Sequence, residues 1–276
     1  MTIDVEDYFQ VEAFARVVAP ARWDEFASRV EANTDRVLAL LDAGKAKGTF
    51  FTLGWVAERF PGIVRRIVAD GHELASHGYA HQRVSRQSEA EFLADVVRAK
   101  HLLEDIGGSE VIGYRAPTFS IGKATPWAFE VLARTGHRYS SSIYPIVHDL
   151  YGAPDAPRFP YRPGPAGFFE LPMTTTKLLG RNLPCSGGGF FRLLPYSIFR
   201  RGLARFNASE ASPGIFYTHP WELDADQPRV AGLGRLSRFR HYLNLDKTEA
   251  RMARLLQDFS WDRMDRVFAS ALAGEA

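Results

Sequence analysis

Residues 48–77, GTFFTLGWVAERFPGIVRRIVADGHELASH, alternate between two kinds of apolar pattern. The runs GTFFTL (48–53) and HELASH (72–77) are short and apolar, which is typical of buried β-strands. Between them, VAERFPGIVRRIVADG (56–71) has the spacing of amphipathic helical segments on either side of Pro61. A strand, a helix and a second strand in this order form the unit from which parallel α/β sheets are built.

The same alternation extends through most of the chain on both sides of this unit. Further strands are predicted over residues 2–5, 110–115, 137–144, 168–173 and 214–219. Further helices are predicted over residues 33–43, 88–108, 125–136, 195–206 and 246–259, the first with Asn33 or Thr34 as its N-cap. About seven such units predict an α/β fold of parallel strands with helices outside, either an open doubly wound sheet or a barrel. The loops 152–167 and 180–190 are interpreted as inserts in a single domain, residues 1–276.

Composition excludes several classes of protein. The 276 residues are 46% hydrophobic, and 34 basic against 32 acidic residues give a formal net charge of +2, so no nucleic-acid partner is expected. Cys185 is the one cysteine, which excludes an internal disulfide and leaves histidines and carboxylates to hold any metal. Neither a signal peptide nor an apolar run of about 18 residues is present, so a cytoplasmic location without a transmembrane segment is expected.

Unusual polar residues follow the predicted strands. Three carboxylates, Asp4, Glu6 and Asp7, close the first strand, and His77 closes the third. Three other strands end at Arg115, at Ser140 to Ser142 and at His219. Because the carboxyl ends of parallel strands lie at one face of the sheet, we expect these residues to converge there.

The stretch SHGYAH places His77 and His81 four residues apart, so one helical turn would direct both imidazoles to the same side. Such a pair is common by accident at protein surfaces, but here the opening cluster supplies a carboxylate as the third ligand. Two histidines and a carboxylate suit a zinc-like ion with an open position for water, which then ionises near pH 7. This chemistry suits hydrolysis of an amide or ester, with a spare carboxylate as base.

Two further residues have alternative interpretations. Arg115 precedes Ala-Pro, which keeps the backbone extended, and is either a surface arginine or the partner of a first-strand carboxylate. His219, in FYTHPWEL, is either a structural histidine or the group that protonates a leaving amine.

Five motifs in chain order, each at a predicted strand end, resemble the polysaccharide deacetylase family of NodB-homology carbohydrate esterases. They are the acidic first motif, His-x-x-x-His, Arg-x-Pro, a fifth-strand motif and a late histidine. The wording of DVEDYF, HDLYG, GGGFF and HPWEL resembles the subgroup found at bacterial exopolysaccharide and exosortase loci. The resemblance implies one NodB-homology domain, a distorted and incomplete (β/α) barrel, with a subgroup-specific part from about residue 160.

The resemblance also implies an activity: removal of N-acetyl groups from a polysaccharide that contains N-acetylhexosamine, with a divalent metal, zinc being the expected ion. Asp4 matches the catalytic base, His77 and His81 the metal ligands, Arg115 the residue that orients the base, and His219 the general acid. In the implied mechanism, water activated by the metal and deprotonated by Asp4 attacks the acetamide carbonyl. An association with membrane glycan-synthesis machinery is a further implication.

Two positions depart from the family pattern. Val5 stands where the family has a second aspartate, so the third metal ligand moves to Glu6 or Asp7. Strand alternation places Glu6 on the face of Asp4, whereas Asp7 reaches that face only if the chain turns. Ser140 stands where the subgroup has an aspartate, which predicts lowered activity.

Candidate substrate contacts lie next to the motifs: Tyr8, Pro117, Ser142 and Trp221, the last as a platform for a sugar ring. Two alternatives to the deacetylase stay open, a glycan-binding module with little or no turnover and a hydrolase of small amides.

Overall fold

A curved sheet of seven parallel strands forms the centre of the protein in this computed structural model, which describes residues 1–210 and 212–273. From one edge to the other the strands are β6 (Phe169–Glu170), β5 (Tyr139–Ser140), β4 (Gly113–Tyr114), β3 (Glu73–Ser76), β2 (Thr49–Thr52), β1 (Thr2–Val5) and β9 (Tyr217–Thr218). Every pairing in this sheet is parallel. The sheet runs in chain order except that the last strand lies beside the first, and its edge strands β6 and β9 are not paired with each other. The predicted fold class, an incomplete barrel of about seven parallel strands, is confirmed.

Helices connect the strands and surround the sheet. They are α1 (Val30–Ala43), α2 (Gly54–Arg59), α3 (Pro61–Ala69), α4 (Glu89–Gly107), α5 (Trp127–Arg134), α6 (Gly188–Leu193), α7 (Tyr196–Ser209), α8 (Arg235–Tyr242), α9 (Leu245–Asp258), α10 (Met264–Val267) and α11 (Ala269–Leu272). Short 3-10 helices lie at Glu12–Phe14, Pro20–Glu25, Val84–Arg86, Pro117–Phe119 and Pro220–Leu223. Within the described part of the chain, no helix combines the length and apolar character needed to cross a bilayer.

Predictions for the start of the first helix and for the 180–190 loop were wrong. Helix α1 begins at Val30, so Asn33 and Thr34 lie inside it and do not cap it. Residues 180–190 are not a plain loop, because Arg181–Pro184 forms β8, which pairs antiparallel with β7 (Thr175–Leu178), and α6 begins at Gly188. The hairpin was missed because its strands are half exposed and lack a regular apolar alternation.

The central strands are buried on both faces, as is usual for parallel sheets. Ile3, Val5 and Phe50 pack outward into the apolar cluster that contains residues of α1 and α9. Phe51 packs inward, into a second cluster that lines the barrel interior with residues of β5 and β6. Since side chains alternate along a strand, Asp4 lies on the inner face of β1, opposite in direction to Ile3 and Val5.

Candidate active site

Asp4 and Arg115 form a buried ion pair at the carboxyl end of the sheet. Nη1 of Arg115 donates to Oδ1 of Asp4 at 2.7 Å and to the Thr2 hydroxyl at 2.8 Å. Nε and Nη2 of Arg115 donate to the carbonyl and hydroxyl of Ser141, both at 3.0 Å, and the guanidinium lies over the ring of Phe51. With contacts on every side and no exposed surface, Arg115 fixes one carboxylate oxygen of Asp4 and leaves the other facing the cleft.

Glu6, His77 and His81 bring three potential metal ligands together beside this pair. One donor atom from each residue lies within 4.8 Å of the other two, and no other such group of three is found among the described residues. The chain bends directly after β1, where the Glu6 amide donates to the carbonyl of Asp4 at 3.1 Å. Glu6 stands two positions after Asp4 and lies on the same side of the sheet, as strand alternation predicts.

The two histidines are oriented by different means, His77 by a hydrogen bond and His81 by its backbone conformation. Nδ1–H of His77 donates to the carbonyl of Arg115 at 2.8 Å, which leaves Nε2 as the atom with an available lone pair. His81 has a φ of 50°, in the left-handed region that non-glycine residues rarely occupy. Backbone strain of this kind is common at ligand sites, where the surrounding structure fixes an unusual side-chain direction.

The donors present fit a divalent cation. Oε1 of Glu6 accepts a hydrogen bond from the Trp221 indole at 3.2 Å, whereas Oε2 is buried without a hydrogen-bond partner. Nε2 of His81 lies 2.7 Å from that Oε2, but the alignment is not that of a hydrogen bond. An orphaned carboxylate oxygen next to two imidazole nitrogens is the donor set that zinc-type sites use.

Asp7 has a different role from the adjacent Glu6. One of its oxygens, Oδ2, accepts from the Ser28 hydroxyl and from the amides of Arg29 and Val30 at 2.6 to 3.1 Å, and Oδ1 accepts from the Tyr8 amide at 2.9 Å. The amides of Arg29 and Val30 lie at the start of α1, where they have no partner within the helix. Asp7 therefore caps α1, although it is far from that helix in the sequence. The prediction of Asp7 as a metal ligand is therefore corrected: its carboxylate is used by the helix.

His219 lies close to both carboxylates of the cleft, with its Nε2 3.9 Å from Oδ2 of Asp4 and 3.6 Å from Oε1 of Glu6. Its Nδ1 is 2.7 Å from Oε1 of Glu222, whose other oxygen accepts from Nε of Arg192 at 2.6 Å. Glu222 and Arg192 are both buried. Neither residue was predicted from the sequence, although Glu222 stands three positions after His219 in HPWEL and its spacing from that histidine was visible there.

The charges around His219 favour its protonated form. Burial alone would lower the pKa of His219, but the hydrogen bond to Glu222 and the negative charges of Glu6, Glu222 and Asp4 raise it to about 9. Burial would raise the pKa of Glu222, yet the charge of Arg192 and the contact with His219 lower it to about 2. A protonated imidazole whose Nε2 faces the cleft can give its proton to a leaving group.

The surrounding charges and burial also favour the cation-binding states of two of the candidate ligands, Glu6 and His77. Burial would raise the pKa of Glu6, but His81 and His219 outweigh it and hold the pKa below its usual value. Burial, with the charge of His81, lowers the pKa of His77 to about 3. Glu6 is therefore ionised and His77 is neutral, as metal ligation requires.

These groups open into a cleft of about 350 Å³ at the carboxyl end of the sheet. Asp4, Glu6, His77, His81 and His219 all line it. The apolar part of the wall is formed by side chains of several loops and helices, among them Phe119, Leu150, Tyr151, Phe190, Leu193 and Phe239. An open trough with titratable groups at its base and rings along its wall suits a chain-like substrate.

The four predicted substrate contacts need correction. Tyr8, Pro117 and Ser142 are buried and do not line the cleft. Other residues near the strand ends line it instead. Ser142 instead accepts a hydrogen bond from the Ala116 amide at 2.8 Å. Trp221 lines the cleft but is stacked between His219 and His241, with ring centroids 5.1 and 4.3 Å away, so neither face is free for a sugar. Its indole positions Glu6.

Ser140, expected to weaken the site, lies beside a buried carboxylate. The strand register pairs Ser140 with Glu170, whose Oε1 accepts from the amides of Ser142 and Ile143, both at 2.8 Å. The Ser140 hydroxyl donates to that of Ser142 at 2.7 Å. Burial raises the pKa of Glu170 to about 7, and its other oxygen has no hydrogen-bond partner. A carboxyl group is thus present near residue 140, contributed by the adjacent strand.

Comparison with known families divides the chain in two. Residues 22–140 match the family described as polysaccharide deacetylase, and residues 141–269 match a domain of unknown function, DUF3473. The first segment contains His77, His81 and Arg115, whereas Asp4, Glu6 and His219 lie outside it. The sheet contains strands from both sides of this boundary.

Curated relatives are similar over part of their length. A peptidoglycan-N-acetylglucosamine deacetylase of Bacillus cereus is 35% identical over 75 residues, 27% of each chain. A chitooligosaccharide deacetylase of Bradyrhizobium is 36% identical over 111 residues, 40% of this chain and 48% of the relative. A peptidoglycan deacetylase of Helicobacter pylori is 27% identical over 113 residues, 41% and 38% of the two chains. The chain thus spans between about a quarter and a half of these relatives.

Solved structures share the fold. A Mycobacterium smegmatis protein assigned to the polysaccharide deacetylases has a TM-score of 0.63 at 21% identity, with 100% of this chain and 90% of that chain covered. The PuuE allantoinase has a TM-score of 0.56 at 20% identity, with 87% and 72% covered. At this level of identity the similarity establishes the architecture alone, which is shared by proteins named for different substrates.

Proposed function

We propose that the protein is a metal-dependent hydrolase that removes N-acetyl groups from a polysaccharide containing N-acetylhexosamine, an activity in keeping with the match of residues 22–140 to the family described as polysaccharide deacetylase. One observation supports it most: the ligand set of Glu6, His77 and His81 lies directly beside Asp4 and His219 in one cleft. A metal site with a base and an acid on either side is the arrangement that amide hydrolysis needs.

When bound by Glu6, His77 and His81, a divalent cation such as zinc supplies a Lewis acid for the amide carbonyl and favours ionisation of water. Asp4 is the base, because its Oδ2 faces the cleft while Arg115 holds its Oδ1 and keeps the carboxylate oriented. His219 is the acid: its Nε2 gives the proton to the departing sugar amine, and Glu222 and Arg192 hold the ring in place. Trp221 fixes one oxygen of Glu6 and leaves the other for the cation.

The finer assignment concerns the biological substrate. We assign the protein to the deacetylases of bacterial exopolysaccharide synthesis, because the motifs DVEDYF, HDLYG and HPWEL resemble that subgroup, with which the match of residues 141–269 to DUF3473 is compatible. The open cleft and its exposed rings favour a polymer over a small amide. Hydrolysis of a small amide by the same groups is the competing function.

The test is acetate release from N-acetylglucosamine oligomers by the zinc-loaded protein. Asp4→Asn should lower the rate by about 100-fold or more, since a positioned base contributes about that much. Asp105→Asn, which removes an exposed carboxylate from α4, is the matched control and should leave the rate unchanged. Chelation should abolish release and zinc should restore it.

Other outcomes would identify the alternatives. Acetate release at the buffer rate, with oligomers still bound, would refute the hydrolase and support a glycan-binding module. Turnover of N-acetylglucosamine or allantoin in preference to oligomers would refute the polysaccharide substrate.

A further inference from the structure

A cluster of arginines lies beside the mouth of the cleft, in the part of the chain that carries α8. Residues 227–245 contain Arg229, Arg235, Arg238 and Arg240 but neither aspartate nor glutamate. The whole chain has a formal net charge of only +2, so this concentration of positive charge is local. All three arginines of α8 are exposed.

Few carboxylates neutralise the cluster. Arg240 pairs with Asp149 at 2.9 Å, and the guanidinium of Arg229 lies over the ring of Tyr242 at 4.1 Å. Within residues 1–210 and 212–273, no carboxylate lies within 4.0 Å of Arg235 or Arg238. Cations this close together repel each other, so an anion bound between them would relieve the repulsion.

Three of the arginines, Arg229, Arg235 and Arg238, line a shallow basin that adjoins the cleft, and Arg240 lines the cleft itself. This basin, hereafter the arginine basin, has a volume of about 450 Å³ and is lined by Arg229, Arg235, Arg238, Phe239, Tyr242 and Leu243. Two of these residues, Phe239 and Leu243, also line the active-site cleft. A glycan extending out of the cleft would therefore reach the basin with its next sugars.

The chemistry of the arginine basin is that of an acidic-sugar site. Guanidinium groups present a planar pair of donors that matches a carboxylate or a phosphate. Phe239 is 54% exposed and offers a ring against which a sugar face can pack. Charge and aromatic surface at one place suit a sugar that carries a negative group.

We propose that the arginine basin is a subsite for anionic groups on the substrate, so that the substrate class is an acidic N-acetylated polysaccharide bearing carboxylate or phosphate groups. The proposal rests on the proposed function, because it treats the glycan in the cleft as the one that enters the basin. A glycan is favoured over an anionic membrane surface because Phe239 and Leu243 belong to the cleft wall as well.

The experiment compares binding of three oligomers of similar length to the zinc-loaded full chain by calorimetry. Chitohexaose is neutral, a hyaluronan hexasaccharide carries carboxylates, and 6-phosphorylated chitohexaose carries phosphates. The wild type should bind at least one acidic oligomer about tenfold more tightly than the neutral one, with a preference that weakens as salt rises. The preferred oligomer identifies the anion.

Variants localise that preference. Arg235→Gln with Arg238→Gln should reduce the ratio of the two affinities by about tenfold, to near one. The control, Arg65→Gln with Arg201→Gln, removes the same charge from exposed positions on α3 and α7 and should keep the ratio. An unchanged ratio in the basin variant, or no preference in the wild type, overturns the proposal.

Two further results separate this proposal from its alternatives. Arginine-dependent binding to phosphatidylserine vesicles, without preference for an acidic oligomer, overturns it in favour of a membrane contact. An arginine-dependent preference without acetate release from any oligomer supports the subsite and refutes the proposed hydrolase.

Discussion

Asp7→Asn and Glu6→Gln neutralise adjacent buried carboxylates but should affect different properties of the protein. Glu6 faces two histidines with an unpartnered oxygen, whereas Asp7 accepts hydrogen bonds at the start of α1. Asp7→Asn should therefore lower stability and leave metal binding intact. Glu6→Gln should weaken metal binding.

The size of the Asp7 effect follows from its contacts. Asparagine has the size of aspartate, but one of its two side-chain polar atoms is an NH2 donor. That atom can no longer accept a hydrogen bond, so the protein loses either the bond from the Tyr8 amide or the bonds from the helix amides. A lost bond that leaves a buried donor unpaired costs about 1–3 kcal/mol. Burial raises the pKa of Asp7, because removing its charge from water costs free energy. The neutral asparagine avoids part of that cost, which offsets some of the loss of stability. The net loss should be about 1–2 kcal/mol, or about 2–8 °C in Tm for a chain of this size.

The assay combines calorimetric melting with metal analysis. Melting is measured in chelator, because bound metal would itself stabilise the folded state. Zinc stoichiometry and Kd are then measured on the reloaded proteins; Asp7→Asn should match the wild type, and Glu6→Gln should bind about 100-fold more weakly or worse. Loss of zinc from Asp7→Asn at unchanged Tm, or full zinc affinity in Glu6→Gln, would refute the division of roles.

Three further predictions concern the base, the pH dependence of stability and one glycine. Arg115→Lys keeps the positive charge, but a lysine cannot contact Asp4 and Ser141 together. The kcat for acetate release should therefore fall about tenfold or more, with little change in KM. An unchanged kcat would contradict this prediction. Burial, with the charge of Asp265, raises the pKa of Glu73 to about 7 from 4.5, so the folded protein keeps a proton that the unfolded chain loses. Stability should fall by up to about 3 kcal/mol as pH rises from about 4.5 to 7, and urea unfolding of Glu73→Gln should lack that part of the fall. Gly187 has a φ of 117°, and a Cβ atom there would overlap the backbone oxygen of Tyr217. Gly187→Ala should therefore lower Tm strongly. The control, Gly189→Ala, places its Cβ in open space and should leave Tm unchanged.

Local periodicity was sufficient for the architecture but not for every boundary. The strand–helix–strand unit at residues 48–77 was predictable because each element has its own apolar pattern. The start of α1 was not, because its cap, Asp7, stands 23 positions before Val30 and meets it only in the folded chain. Strands β4 and β5 are two residues long in place of the six and eight predicted, since a strand ends where its neighbour stops pairing.

The candidate site was predictable where residues stand at strand ends. Asp4, His77 and Arg115 were identified because parallel strands bring their carboxyl ends to one face. Trp221 was misinterpreted because its exposure depends on His241, a residue of another helix that covers one face of the ring. Contacts of this kind are set by tertiary packing and leave no periodic signal in the sequence.

The absence of a carboxylate at residue 5 has a structural explanation. Val5 has no exposed surface and packs in the outer apolar cluster, so a charged side chain there would be buried away from the histidines. Glu6 is the next residue and returns to the side of Asp4. There the Trp221 indole holds its Oε1, which leaves Oε2 as the oxygen beside His81. Valine at residue 5, glutamate at residue 6 and tryptophan at residue 221 therefore form one arrangement. It places the candidate ligand one position further along the chain and keeps the apolar packing of β1.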